Sequence, residues 1–333
     1  MSKRIVELPT GLRAEFVGPE HISARLVLGS RPFMQNVDEQ VSTLFTLELR
    51  YPRFIHAQLM THRMFARNSA SNRARSIAKP GAPPMVFYQP PARLRQSGMS
   101  VTMSCTPEQI ELYDRMWRDA AMTVYDKAAA MERLGYAKEI VNRIIEPFQF
   151  IEVIMTGTYK WWQHFLALRN HPEAQYEIRV LASKIASLID IDCCERRRYH
   201  VPYVDDTEFW TLRTYISDRL WEAIHLISPA DVALFLVSAA RCARVSYTPF
   251  DERQPNVGKD AWLAARLLAA DPPHMSPFEH AAVAPALYPA VSSRPLFDDW
   301  ITARAALEHL LKEVYNSKSY LNMIVGVMCE FTS

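Results

Sequence analysis

The tetrapeptide Thr106-Pro107-Glu108-Gln109 constrains the fold of this chain more than any other local feature. A threonine hydroxyl can accept from the third helical N–H, a glutamine three residues on can reach back, and proline is preset for the first helical position. Ile110, Met116, Trp117, Ala120, Val124, Met131 and Leu134 then recur at helical spacing up to Gly135, a residue suited to the left-handed step that ends a helix. Similar spacing predicts helices over about 137–145, 150–168, 172–189, 207–226, 230–240, 259–269 and 297–314, so helix dominates the middle and the end. Residues 52–60 read as a helix with Pro52 in its first turn and apolar Phe54, Ile55, Leu59 and Met60. Residues 41–51 fit strand or helix equally. The prolines at 80, 83, 84, 90 and 91 exclude regular helix from 79–98 and predict a loop, either a lid over a site or a spacer.

At 333 residues, 49% of them apolar, the chain can bury a full core as one large domain or two ordinary ones. Lys+Arg 38 against Asp+Glu 36 gives a formal net charge of +2, which argues against a general polyanion binder. Five cysteines without paired C-x-x-C spacing, and no H-E-x-x-H arrangement, give no reason to expect a metal. The start of the sequence has no apolar stretch of secretory type, and the longest apolar run, 232–240, is far short of a membrane span. A cytoplasmic, reducing location is therefore expected.

The charge that matters is local. His62, Arg63, Arg67, Arg73 and Arg75 crowd the bend after the predicted 52–60 helix, and they repel one another unless an anion shares the site. Three readings compete: a solvated basic face, a nucleic-acid surface, and a nucleotide site. Interleaved Asn68, Ser69, Ser71 and Asn72 favour the last, because short polar side chains complete a phosphate or ribose cradle. Neither G-x-G-x-x-G nor a P-loop occurs among the nine glycines, so side chains must hold any nucleotide. Arg169, at a helix end before Pro172, is either a surface dipole partner or an inward cation for a developing charge. Residues 243–247 read as a strand or strand end. Ser276 is placed to cap a helix opened by Pro277, with Glu279 completing a capping box and His280 on its first turn.

Taken together these segments resemble the flavin-dependent thymidylate synthases. Gln58, His62, Arg63, Ser71 and Arg73 match that family's R-H-R-x7-S motif and the glutamine before it. Asn142 to Pro147, Phe165 to Arg179, A-R-V-S-Y at 243–247 and S-P-F-E-H at 276–280 match four further segments. The resemblance implies an α+β fold, rich in helix with a small mixed or antiparallel sheet. It also implies one permuted domain over 1–333, with about 40–190 and about 230–333 carrying the two motif groups, because the family places the last two segments first. A phage-associated branch has a similar layout. Permutation is tolerable where the ancestral ends lie close together on the surface.

The activity implied is methylation of dUMP at carbon 5 to give dTMP, with FAD as redox carrier and methylenetetrahydrofolate and NADPH as co-substrates, in a homotetramer acting on a small nucleotide. By carry-over, Arg169, Ser71 and His280 are the catalytic candidates. Gln58, Ser71, Arg73, Arg143 and Arg169 would bind substrate, and His62, Arg63, His164, Ser276, Glu279 and His280 the cofactor. Departures from the motifs at Thr61, Ser69, Ala74, His164 and Glu173 keep two alternatives open: UMP methylation or 5-hydroxymethylation of dUMP, and a nucleic-acid-binding module without catalysis.

Overall fold

The structure, a computed structural model, describes residues 4–33, 37–71, 77, 84–95, 101–102, 104–220, 227–246, 255–288, 291, 296–297, 299–313 and 317–331. In chain order its strands are β1 (Arg4–Glu7), β2 (Arg13–Val17), β3 (Ser23–Pro32), β4 (Leu44–Pro52), β5 (Ala66–Ser69), β6 (Met85–Tyr88), β7 (Leu94–Arg95), β8 (Val101–Thr102), β9 (Phe150–Thr158), β10 (Glu195–Arg197), β11 (Tyr199–His200), β12 (Ala282–Val283) and β13 (Ile301–Thr302). Its α-helices are α1 (Glu39–Ser42), α2 (His56–Met60), α3 (Pro107–Arg133), α4 (Lys138–Val141), α5 (Tyr159–Arg169), α6 (Tyr176–Ala186), α7 (Asp206–Arg219), α8 (Pro229–Ala243), α9 (Val257–Ala269), α10 (Ala303–Glu313) and α11 (Ser317–Glu330). The architecture is α+β, helix-rich with small mixed sheets. No helix among the described residues is long and apolar enough to cross a membrane.

A five-stranded sheet, in the order β10-β3-β4-β9-β5, is the frame on which the site is built. Because side chains alternate along a strand, each face has its own covering. Phe45, Leu47, Leu49 and Tyr51 of β4, with Ile151, Val153 and Met155 of β9, pack against Trp162, Phe165, Ile178, Leu181 and Ile185 of α5 and α6. The opposite face is covered from the C-terminal part of the chain. Ile154 meets Cys242 and Val245, and Leu44 and Ala66 meet Ala282, Phe297 and Trp300. Behind this contact α8 is buried along its whole length, at the centre of a cluster with α7, α9, α10 and α11.

β4 alternates Phe45, Leu47, Leu49 and Tyr51 with Thr46, Glu48 and Arg50, whereas β9, covered on both faces, runs through Val153, Ile154 and Met155 without alternation, which periodicity alone cannot tell from buried helix. This corrects the expectation of one helix over 150–168: Phe150–Thr158 is the second central strand, and helix begins at Tyr159. It also resolves 41–51, where α1 ends at Ser42 and β4 follows. The helix expected over 52–60 is a 3-10 turn at Arg53–Ile55 followed by the short α2, with Pro52 closing β4. Within the proline-rich 79–98 stretch, Met85–Tyr88 forms β6, parallel to β2 in a three-stranded sheet, because the prolines flank this run and leave its N–H groups free to pair.

The helix over 107–133 forms as expected, with both capping-box bonds present and Gly135 at φ +89. The expected strand at 243–247 is instead the end of α8 and a 3-10 turn at Arg244–Ser246, with Tyr247 outside the described residues. Ser276–Glu279 is a 3-10 turn without a side-chain cap, because Glu279 is drawn to Arg304, whose Nη1 donates to its Oε1 at 2.7 Å.

Candidate active site

Arg169 closes α5 and reaches back over 107 residues of chain to the corner after α2. Its Nε donates to His62 Nε2 at 3.0 Å, and its Nη2 to Thr61 Oγ1 at 3.2 Å and Gln58 O at 3.4 Å. Arg169 is half-buried and turned onto the corner rather than extended into solvent. The corner is held from the other side by Arg67 of β5, whose Nη1 donates to Met60 O at 2.9 Å and His62 O at 3.1 Å. Two guanidiniums therefore satisfy the carbonyls that a helix end leaves bare. Much of the charge that the basic bend concentrates is absorbed here, so the anion inferred from repulsion has fewer cations to meet. Arg63 is exposed, while Arg73 and Arg75 lie outside the described residues.

His62 is buried at 8% exposure, edge-on to Phe165 with ring centroids 4.9 Å apart. Burial first, then the charges of Arg169, His164 and Arg67, push its pKa down to about 4. It is neutral at physiological pH, with Nε2 accepting from Arg169 and the proton on Nδ1. His164, exposed on the same helix as Arg169, has its ring 6.4 Å from that of His62.

Gln58 starts a second line of contacts. Its Nε2 donates to Gln175 Oε1 at 2.5 Å, and Gln175 Nε2 donates to Glu177 Oε2 at 3.0 Å. Glu177 is fully buried and takes Arg93 Nη2 at 2.6 Å and the Tyr88 hydroxyl at 3.2 Å. The strand made from the proline-rich stretch thus anchors the residue that orients Gln175 and, through it, Gln58.

The remaining candidates fall into separate groups. Ser71 is half-buried two residues beyond β5. Arg143 sits on a 3-10 helix at Asn142–Phe148, its side chain 63% exposed, and donates to Glu146 Oε1 at 2.9 Å; that carboxylate also meets Arg53 Nε at 3.0 Å. Arg53 opens the turn that leads into α2, so Arg143 lies against the entrance to the corner, and no described contact joins it to Arg169. Ser276 is exposed. Burial lowers the pKa of Arg67, and Glu279, besides its pairing with Arg304, opposes that shift in part.

His280 is fully buried and spends both ring nitrogens inside the chain, on Thr156 Oγ1 at 2.8 Å and Asn68 Oδ1 at 3.1 Å. With Ser246, whose hydroxyl donates to Ser69 O at 3.2 Å, it fastens the late segments 243–247 and 276–280 to β5, the strand of the basic bend. Sequence reasoning missed Glu177, Arg93 and His200 as members of this arrangement, and it named Asn68 only as a polar residue of the bend. Glu177 stood inside a matched motif, and Asn68 among the short polar residues of the bend. His200 gave no local signal.

Three buried imidazoles make an acid-stability prediction. Burial lowers the pKa of His62 to about 4 and those of His200 and His280 to about 3, against about 6.5 for an exposed ring. The unfolded chain binds these protons first. The stability contributed by neutral burial is complete above pH ~6.5 and is lost progressively as pH falls through 4 and then 3. The urea midpoint should drop steadily from pH ~6.5 to ~4, and a flat midpoint over that window contradicts the assignment.

Comparison with known proteins places these features. Residues 36–191 match the model of the thymidylate synthase complementing protein family. A probable flavin-dependent thymidylate synthase of Paramecium bursaria Chlorella virus 1 is 29% identical over 141 residues, covering 41% of this chain and 61% of the relative. A flavin-dependent thymidylate synthase of Thermus thermophilus is 25% identical over 146 residues, covering 44% and 52%. The chain thus spans a little over half the length of the curated relatives it matches. Among solved structures, a UMP/dUMP methylase PolB from Streptomyces cacaoi bound with 5-Br UMP aligns at a TM-score of 0.45 and 20% identity, over 53% of this chain and 91% of that one. The same protein with 5-Br dUMP aligns at 0.40 and 22%, over 45% and 68%. Backbone similarity at that level carries no argument by itself. Residues 36–191, which hold β4, α2, β5, β9, α5 and α6, are thus similar to the thymidylate synthase complementing protein family and to flavin-dependent thymidylate synthases within it.

Proposed function

We propose that this protein is a flavin-dependent enzyme that methylates a uracil nucleotide at carbon 5, converting dUMP to dTMP with methylenetetrahydrofolate as one-carbon donor and NADPH as reductant. The observation that carries the reading is the corner where Arg169 meets Gln58, Thr61 and His62. Residues from two matched motifs, distant in sequence, converge there within the segment that matches the family.

The residues present fit a flavin dinucleotide. Arg63 offers an exposed cation for a phosphate, His164 an exposed ring, and His62 a neutral imidazole behind them. These three would hold FAD, with Ser276 and Glu279 approaching from the late segment. When bound, the flavin supplies the reducing electrons that the one-carbon unit needs to become a methyl group.

The chain's own tasks are binding, orientation and charge stabilisation. Among the described residues no group takes the Nη1 hydrogens of Arg169. That edge would polarise a uracil carbonyl, while the Nε and Nη2 bonds keep the guanidinium from turning. Thr61 stands where the family pattern has an arginine, and its hydroxyl now accepts from Arg169 and donates to Gln58 O at 2.7 Å, a positioning role without added charge. Gln58, Ser71, Arg73 and Arg143 would take the nucleotide's phosphate and sugar. His280, being fully buried, contributes by holding β5. Docking of the late segments on β5 and β9 supports reading their position in the chain as a circular permutation, and the exposed cofactor side chains suit a site completed in a homotetramer.

Purified protein should carry flavin absorbance and release tritium from carbon 5 of labelled dUMP, the product having the mass of dTMP. Turnover of UMP in its place, or a hydroxymethylated product, would support the variant reading that Ser69 motivates at the family's ribose-side glutamate. A colourless protein whose DNA binding falls steeply with salt would overturn both.

A further inference from the structure

The face of the five-stranded sheet turned toward the C-terminal part of the chain buries a continuous line of polar side chains. Ser30 Oγ lies 2.8 Å from His200 Nδ1, and His200 Nε2 lies 2.8 Å from Thr46 Oγ1. Thr46 Oγ1 lies 2.6 Å from Thr156 Oγ1, which is 2.8 Å from His280 Nδ1, and His280 Nε2 is 3.1 Å from Asn68 Oδ1. Five of these six residues are fully buried, and only Asn68 reaches solvent.

The structure turns the Asn68 oxygen, not its NH2, toward His280, and that orientation sets the direction of the whole line. An amide oxygen only accepts, so His280 carries its proton on Nε2 and accepts on Nδ1 from the Thr156 hydroxyl. Thr156 must then accept from Thr46, Thr46 from His200 Nε2, and His200 must accept on Nδ1 from Ser30. Each group has one orientation, fixed by its neighbour, and the last of them is the Asn68 side chain. Apolar residues of similar volume would fill this face at no polar desolvation cost, so what the line adds is geometric specificity. With its oxygen committed to His280, Asn68 turns its NH2 the other way, and no described residue accepts from it. Asn68 belongs to β5, the edge strand of the basic bend, on the opposite face from Arg67 and three residues before Ser71.

We propose that Asn68 is a ligand-binding residue of the nucleotide site, donating from Nδ2 to an oxygen of the bound uracil nucleotide, and that His200 and His280 are positioning residues that hold its amide in the donating orientation. This rests on the functional reading above and adds to it a residue from outside the matched motifs, His200, which also lies beyond the family-matched segment.

Two measurements test it. In wild-type protein without nucleotide, long-range proton–nitrogen correlation should find both His200 and His280 protonated on Nε2 and bare on Nδ1. A His280 protonated on Nδ1 would turn the amide around and overturn the proposal. Next, UMP and dUMP are titrated into folded wild type, Thr156→Val, Thr156→Ser and Asn68→Asp. Valine keeps the shape of threonine but cuts the line, serine keeps the hydroxyl, and aspartate removes the donor. Dissociation constants should weaken about tenfold in Thr156→Val and Asn68→Asp and stay near wild type in Thr156→Ser. Loss of thermal stability in Thr156→Val with wild-type affinity would mean a purely structural line, and unchanged affinity in Asn68→Asp would remove the ligand contact; either result sinks the inference alone. If wild type binds neither UMP nor dUMP, the functional reading falls as well.

Discussion

Replacing Arg169 by alanine should lower carbon-5 methylation of the uracil nucleotide by on the order of 10²–10³-fold, the usual loss when one preorganised donor to a developing negative charge is removed. The effect should appear mainly in the rate at saturating substrate, because Gln58, Ser71 and Arg143 would still be present to hold the phosphate and sugar. Lysine should not rescue it. An ammonium keeps the charge but cannot meet His62, Thr61 and the Gln58 carbonyl from one rigid plane while leaving a free edge for the substrate. A second readout needs no turnover. Arg169 is the largest charge contribution to the depressed pKa of His62, so in Arg169→Ala that pKa should rise from about 4, stopping short of 6.5 because the ring remains buried. Imidazole titration by NMR checks this directly. Unchanged turnover together with an unmoved His62 would remove Arg169 from the site.

Asp260→Ala should be strongly destabilising, costing about 3–5 kcal/mol. Asp260 of α9 is fully buried. Its Oδ2 accepts from Arg241 Nε at 2.8 Å, and its Oδ1 from Arg244 Nε at 3.0 Å and Nη2 at 2.6 Å. Arg241, only 6% exposed in its side chain, also forks onto both oxygens of Glu208, at 2.5 and 2.6 Å. Two cations face two carboxylates, and removing one carboxylate leaves an uncompensated charge in a low-dielectric interior. Asp260→Asn keeps an acceptor and should cost less. The consequence reaches the site, because Arg244 opens the turn whose Ser246 bonds to β5. Urea unfolding should show the midpoint falling with an unchanged slope, and a cost under about 1 kcal/mol would mean that the network has relaxed around the loss.

The legibility of this fold varied with how local its determinants were. The Thr106 capping box and Gly135 fixed both ends of α3, since each acts through bonds within a few residues. Phe150–Thr158 was taken for helix because a strand covered on both sides shows no alternation. Pro277 and Glu279 promised a capped helix, but an arginine 25 residues further on took the glutamate. The basic bend was visible as a cluster. That Arg67 would spend its charge on backbone carbonyls, while Arg169 came in from α5, was not.

By itself the amino-acid sequence carried the family resemblance of the 36–191 segment, the long capped helix and the set of polar residues available to a nucleotide site, because motif spacing and capping are short-range properties. Only the tertiary structure decided which of those residues meet. Sheet register puts Thr46 beside Thr156, packing of the late segments brings His200 and His280 to either side of that pair, and the turn after α2 receives Arg169. Such meetings depend on strand pairing and helix docking between residues a hundred or more positions apart, and no local pattern encodes that separation.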